Sequence, residues 1–127
     1  MSGELFALLV RHSILALAES SGGRDNDGAF TYGLSTGTRT DRRGLAVELF
    51  GARALVLEGL LDPSSVPDYL SGVIIADEVE HQLNRLREPG RIVLCGTTDL
   101  CRRYDMALRA YGVQTQIIGE EATARGL

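Results

Sequence analysis

The sequence predicts a helix-rich α/β protein that ends in a strand–helix–strand–helix unit. Apolar residues recur at helical spacing through the first two thirds of the chain. Two short runs with β-branched residues, Arg91–Cys95 and Val113–Ile118, then flank a polar segment with helical character. A length of 127 residues is typical of one domain, so we predict a single domain over residues 1–127, with residues 91–127 as its last unit.

The first predicted helix runs from Gly3 to about Ala18. Ser2 is a suitable cap, and Glu4 lies in the first turn, where the helix dipole favours a carboxylate. The apolar residues of this segment lie close to one helical face: Leu5, Leu8, Leu9, Leu15 and Ala16. Residues 20–28 are rich in Ser, Gly, Asp and Asn, which predicts a flexible loop.

Three more helices are predicted before the strands. A short one covers about Ala29–Leu34 and is weakened by Gly33 and the nearby Gly37. Apolar residues at helical spacing predict a helix over Leu45–Leu57. A long helix over Val66–Leu86 follows a start signal at residues 62–67, with serine as the cap and proline in the first turn, and Pro89-Gly90 ends it.

The pattern of apolar residues changes in the last third of the chain. Arg91–Cys95 is predicted as a buried strand, followed by a helix over Asp99–Tyr111 that Gly112 ends. Val113–Ile118 is predicted as a second strand, parallel to the first, and Glu120 to about Arg125 as a final short helix. Two strands do not make a stable sheet alone, so these strands lack neighbours in the sequence.

Composition excludes several classes of function. A net charge of −4 disfavours nucleic acid and anionic membrane surfaces as partners. No apolar run reaches the roughly 18 residues of a membrane span, and the first residues lack the basic start of a signal peptide. All thirteen basic residues are arginine, which excludes chemistry that needs a lysine. The two cysteines, Cys95 and Cys101, are predicted to be buried and reduced, which indicates a cytoplasmic protein.

The best candidate site is the turn Gly96-Thr97-Thr98 between the first strand and its helix. Glycine lets a ligand approach the backbone, and the threonines offer hydroxyl groups. The helix that follows points free N–H groups at the turn, which suits a nucleotide or a phosphate. The alternative is an ordinary strand–helix turn with Thr98 or Asp99 as the helix cap.

Other polar residues form no catalytic or metal-binding constellation. Glu4 and His12 share a helix, and each is equally explained as a surface or packed residue. The group Glu78, Glu80 and His81 lacks a second cluster of ligands for a metal ion. Asp99 and Asp105 do not share a helical face, and the adjacent residues Arg102 and Arg103 form either an anion contact or a solvated basic patch. We therefore assign no catalytic residue and no metal ligand, and the substrate-binding residues stay unknown.

Short motifs in a specific order resemble the 2-keto-3-deoxygalactonate kinases. The likeness covers nearly the whole chain. It rests on these segments: Met1-Ser2-Gly3-Glu4-Leu5, His12-Ser13, Ala29-Phe30, Gly33-Leu34, Leu49-Phe50, Ala52-Arg53, Tyr69-Leu70-Ser71-Gly72, Glu78-Val79, Gly96-Thr97, Arg103-Tyr104 and Gly112.

The resemblance implies a fold and a reaction. These kinases belong to the sugar kinase, hexokinase and actin superfamily, which has two ribonuclease-H-like lobes with the active site between them. They transfer the γ-phosphoryl group of ATP, as its Mg²⁺ complex, to 2-dehydro-3-deoxy-D-galactonate. By its position, Gly96-Thr97-Thr98 resembles the adenosine-binding turn of the C-terminal lobe.

The resemblance also implies that much of the enzyme is missing. The chain starts past the middle of the family, without the N-terminal lobe and its Asp-containing phosphate loop, and without the first strands of the C-terminal lobe. We therefore expect an incomplete C-terminal lobe that is inactive by itself, with Met1 either a true start or an internal residue of a longer protein. The alternative function is a stand-alone interaction domain derived from a kinase, in which a second copy covers the unpaired strand edges.

Overall fold

The computed structural model describes residues 2–12, 27–41, 43–88 and 90–119. The chain divides into two compact units, Met1–Glu78 and Val79–Leu127. Three predicted segments lie outside the described residues: residues 13–18 of the first predicted helix, residues 20–26 of the predicted loop, and the helix over Glu120–Arg125.

The first unit is helical. Its elements are α1 (Ser2–His12), α2 (Asp27–Gly37), α3 (Leu45–Leu57), a 3-10 turn (Pro63–Ser65) and the greater part of α4 (Val66–Arg85). The prediction for α3 is confirmed at both ends, and that for α4 to within one residue. The predicted loop was wrong at Asp27 and Gly28, which begin α2, and this helix is longer than predicted.

The core of the first unit is built around the start of α4. Tyr69, Leu70 and Val73 are almost completely buried there, together with Phe30 of α2. Leu49 and Ala52 of α3 and Leu61 from the connection before α4 form one cluster with Tyr69, Leu70 and Val73. Since burying such a side chain contributes about 1.5–3 kcal/mol, this cluster is the main source of stability of the unit.

Glycines let α2 lie directly against α4. A Cβ atom on Gly33 would collide with the main-chain oxygen of Tyr69, and one on Gly72 would collide with that of Phe30. A Cβ on Gly37 would lie 2.5 Å from the Cβ of Ala76, which is closer than non-bonded carbon atoms approach each other. The glycines that weaken α2 by propensity are therefore required by its packing, which explains why this helix extends past its predicted end.

An aspartate caps the turn that leads into α4. The carboxylate of Asp62 accepts hydrogen bonds from the backbone N–H of Ser64 at 2.8 Å and from its hydroxyl at 2.6 Å. These two bonds hold the pKa of the Asp62 carboxyl below its ordinary value. Pro63 follows in the first position of the 3-10 turn, where its missing N–H costs nothing. The helix start predicted from this segment is confirmed, but the residue that caps the 3-10 turn is Asp62 and not the serine that was predicted.

The second unit contains the strand–helix–strand segment. Strand β1 (Ile92–Cys95) and strand β2 (Thr115–Ile118) are parallel, with Ile92 opposite Thr115 and Cys95 opposite Ile118. Helix α5 (Thr98–Ala110) connects them and buries Cys101, Ala107 and Leu108. The predicted strand, helix, strand order and the parallel pairing are confirmed. Among the described residues the sheet has these two strands.

The strands are less buried than predicted. Val93 is 48% exposed, and Cys95 is also exposed, so the prediction of a buried first strand and of a buried Cys95 was wrong. Ile117 of β2 is 48% exposed as well. The apolar sequence of both strands therefore exceeds what this unit covers, as expected for strands that lack neighbours.

None of the helices in the described ranges is long and apolar enough to cross a membrane.

Candidate functional site

The turn after β1 has a backbone conformation that selects glycine. Gly96 has a φ of 153°, a value that residues with a side chain rarely adopt. A Cβ atom at this position would lie 3.7 Å from the Sγ atom of Cys101, which is an ordinary contact. The need for glycine at residue 96 therefore comes from the backbone angle, and space alone would admit a small side chain.

Thr97 caps α5 with its backbone alone. Its carbonyl oxygen accepts a hydrogen bond from the N–H of Cys101 at 2.9 Å, and its side chain makes no capping hydrogen bond. The prediction that Thr98 or Asp99 caps the helix was wrong, since both residues belong to the first turn. The first N–H groups of α5 thus donate no hydrogen bond to the side chain of the cap residue.

The turn is open to solvent. The side chains of Thr97, Thr98 and Asp99 are exposed, and Leu100 is 50% exposed. Hydroxyl groups and an apolar side chain are therefore accessible to solvent at this end of α5. The carboxylate of Asp99 occupies the positive end of the helix dipole and repels a second anion there. This arrangement suits a neutral group such as a nucleoside better than a phosphate.

Asp105, the other acidic residue of α5 considered from the sequence, has a structural position. Its carboxylate accepts hydrogen bonds from the hydroxyl of Thr115 and from the Nε atom of Arg109, the latter at 3.0 Å. The Thr115 hydroxyl, and then Arg109, hold the pKa of the Asp105 carboxyl below its ordinary value. This carboxylate joins α5 to β2, and it forms no catalytic pair with Asp99.

The remaining sequence candidates do not assemble into a site. Arg102 and Arg103 are half-buried and interact with other groups of the chain, so they are not a fully solvated patch. Glu4 is exposed in the first turn of α1, and the side chain of His12 lies outside the described residues. His81 is exposed in α4. Among the described residues, no three His, Cys, Asp or Glu side chains form a group that could hold a metal ion.

A groove at the other end of the sheet was missed by sequence reasoning. It has a volume of about 530 Å³ and is lined by Arg91, Arg109 and residues 112–115. Arg91 precedes β1 and Gln114 precedes β2, so the groove lies at the amino ends of both strands. The predicted parallel pairing already implied that these two residues meet, and this was the available signal. Ligands of parallel sheets ordinarily bind at the carboxyl ends, where Gly96 lies.

The whole chain matches one family of kinases. The family model described as 2-keto-3-deoxy-galactonokinase matches residues 1–127. The chain belongs to the 2-keto-3-deoxy-galactonokinase family. The resemblance seen in the sequence motifs is thereby confirmed.

Two relatives support the assignment of this chain to the kinase family. The chain is 33% identical over 128 residues to the 2-dehydro-3-deoxygalactonokinase of Escherichia coli (strain K12), and the match covers all of this chain. The crystal structure of a protein from Sinorhizobium meliloti assigned as a 2-dehydro-3-deoxygalactonokinase matches with a TM-score of 0.83. That match has 28% sequence identity and covers 98% of this chain.

The kinase relatives are much longer than this chain. The matched region is 43% of the Escherichia coli protein and 42% of the Sinorhizobium meliloti chain. This chain therefore corresponds to less than half of the length of these two relatives. The helix-rich α/β architecture with two parallel strands is compatible with part of a kinase domain.

Proposed function

We propose that this chain is part of an ATP-dependent kinase that phosphorylates 2-dehydro-3-deoxy-D-galactonate. The family match over residues 1–127 and the name of the Escherichia coli relative support this activity. In this proposal the chain supplies part of a C-terminal, ribonuclease-H-like lobe, and the lobe works in the cytoplasm. The remaining part of the active site is supplied by sequence that corresponds to the unmatched portion of the relatives.

The residues proposed to bind the nucleotide are Gly96, Thr97 and Thr98. The observation that supports them is the exposed turn at the carboxyl end of β1, with backbone N–H groups that the side chain of the helix cap leaves available. The carboxylate of Asp99 at the same helix end favours the neutral adenosine over the phosphates as the group in contact. The turn is thus one wall of the nucleotide cleft.

The phosphates and Mg²⁺ of the nucleotide would be held elsewhere in the enzyme. Phosphoryl transfer depends on positioning of the γ-phosphate, on Mg²⁺ and on charge stabilisation. The described residues contain no group of acidic or histidine side chains that fits a metal ion. This chain therefore orients the adenosine, and we propose that it has no kinase activity alone. Release of ADP by this chain with ATP, Mg²⁺ and the sugar acid would contradict the claim of inactivity.

Calorimetric titration tests the turn directly. We expect weak heat of binding with ATP and Mg²⁺ and with adenosine, and none with tripolyphosphate, which has no nucleoside. Gly96→Val should abolish the heat because valine does not adopt the φ of 153°. The matched control is Gly112→Val, which also replaces a glycine of positive φ (75°) but at the other end of the unit, and it should retain binding. If the unaltered chain gave no heat of binding, the turn would have a structural role only.

A stand-alone interaction domain is the second candidate. The sheet formed by the described strands has two members, so β1 and β2 each have one edge without a partner strand in this part of the chain. Such edges are templates for pairing with another copy. Proline substitution at Ile117 of β2, whose backbone N–H faces away from β1, would block pairing at that edge, so a dimer of unchanged affinity in Ile117→Pro would contradict pairing through β2. The matched substitution Val93→Pro tests β1.

A further inference from the structure

Helix α3 carries apolar side chains on its outer face as well as in the core. Val47, Phe50 and Leu57 are 49%, 58% and 77% exposed, and Ala54 is also exposed. We call these four residues the α3 stripe. Leu49 and Ala52, on the inner side, are buried in the core of the first unit. The helix therefore has an apolar surface beyond the one that folding of this unit requires.

The residues of the α3 stripe have the spacing of a helix-pairing seam. They follow one another at intervals of three, four and three residues, as the a and d positions of a heptad do. An antiparallel pair of α3 helices centred on Ala52 would place Val47 opposite Leu57 of the second copy. It would also place Phe50 opposite Ala54, so that the largest side chain of the stripe faces the smallest. A parallel pair would instead oppose two copies of Phe50 and leave a gap at Ala54.

The charges at the ends of α3 indicate the same arrangement. Arg43 precedes the helix and Glu58 is its C-cap residue, and both are exposed. Arg43 lies at the positive end of the helix dipole and Glu58 at its negative end, so the dipole disfavours both charges. In an antiparallel pair, Glu58 of one copy would lie within about one turn, roughly 5 Å, of Arg43 of the other. Each charge would then lie beside the helix end of the opposite sign.

We propose that α3 is a self-association surface that binds a second copy of this chain in antiparallel orientation. Four side chains per copy make a small interface, below about 1,200 Å² in total, of the size found in weak, reversible complexes. The dimer therefore forms with a dissociation constant on the order of 100 µM. It uses the outer face of α3 in the first unit.

Sedimentation equilibrium from about 10 µM to about 1 mM, with a reductant to keep Cys95 and Cys101 as thiols, measures this dimer. Phe50→Ser should raise the dissociation constant by about tenfold or more, because each dimer loses the central aromatic contact twice. Leu8→Ser is the matched control, since Leu8 is 59% exposed on α1 and lies outside the α3 stripe. It should leave the dissociation constant unchanged.

Charge reversal distinguishes this dimer from general damage to the fold. Arg43→Glu or Glu58→Arg alone should weaken association several-fold, and the double variant should restore it. Each single variant also improves the dipole match of its own helix, so thermal unfolding of the dilute protein should be unchanged or slightly later. A loss of association without a loss of stability is the expected signature.

Three outcomes would overturn the proposal. One is a folded monomer throughout the concentration range, as expected if another segment or protein covers α3. The second is a dimer that Phe50→Ser does not weaken, as expected if the strand edges hold it. The third is failure of the double charge reversal to restore the association that the single reversals remove. Each outcome is independent of nucleotide binding at Gly96.

Discussion

The carboxylate of Asp105 in α5 accepts a hydrogen bond from the hydroxyl of Thr115 in β2. Asp105 also pairs with Arg109 one turn further along the helix. The side chain of Asp105 is 18% exposed and that of Arg109 is 70% exposed, so the bond from Thr115 is the better protected from water. The carboxylate of Asp105 thus fixes β2 against α5.

Asp105 should make the second unit sensitive to acid. Its pKa is lowered in the folded protein, first by Thr115 and then by Arg109. Its contribution is therefore fully present above the unfolded pKa, about 3.9, and is lost as the pH falls through the lower folded pKa. Urea unfolding between about pH 6 and pH 2 should show a smaller loss of stability in Asp105→Asn than in the unaltered protein. The control Glu88→Gln, at an exposed position in the same unit, should follow the unaltered protein.

Removal of the hydroxyl partner should affect the same contact at neutral pH. Thr115→Val keeps the shape of the side chain but removes its donor, which should reduce the free energy of unfolding by about 1.5–3 kcal/mol. Equal stability of the two proteins in a urea titration at pH 7 would show that the contact contributes nothing. Thr98→Val, at an exposed position in α5, is the matched control and should change stability little.

Two glycines within helices should respond in opposite directions to alanine. Gly33→Ala places a methyl group into the main chain of Tyr69, so α2 must move away from α4. We expect a loss of at least about 2 kcal/mol, as in strong overpacking. Gly51→Ala in α3 meets no atom within 4 Å, so it should stabilise the protein by about 0.5–1 kcal/mol through helix propensity. Stabilisation by both substitutions in thermal unfolding would contradict the close approach of the two helices.

Local patterns predicted the helices and the strand pairing well. Helix α3 was placed correctly at both ends, because Leu45, Leu49, Ala52 and Leu55 repeat at helical spacing. The parallel pairing of β1 and β2 followed from a helix placed between two apolar runs. The helix depends on residues that are close in the sequence, where periodicity is informative, and the pairing depends on the crossover rule for two strands joined by one helix.

Features that depend on distant residues were missed. Gly33 and Gly37 reduce helix propensity, and their role becomes visible only when α4 is placed against α2. Cys95 belongs to an apolar run but is exposed, because covering the strand requires elements that the described residues lack. The turn at Gly96 was found from the strand–glycine–helix pattern, whereas Thr97 as the cap depends on backbone angles that composition does not specify.

Substitution of two phenylalanines should distinguish the core of the first unit from its outer surface. Phe30 is fully buried, so Phe30→Ala should cost about 3–5 kcal/mol of unfolding free energy through lost burial and a cavity. Phe50 is 58% exposed, so Phe50→Ala should cost less than about 1 kcal/mol in dilute solution. Chemical unfolding at low protein concentration measures both, and similar losses would contradict the assignment of Phe50 to the surface.

The two cysteines should react at very different rates with a thiol reagent. Cys95 is exposed at the end of β1, whereas Cys101 is 4% exposed beneath the turn. Under native conditions a colorimetric disulfide reagent should therefore modify one thiol rapidly, and Cys95→Ser should remove that fast phase. Cys101 should react only as the second unit opens, so its rate should rise steeply with urea. Gly96→Val should accelerate modification of Cys101, because it strains the turn that covers this thiol. Equal rates for both thiols in native buffer would show that the turn does not protect Cys101.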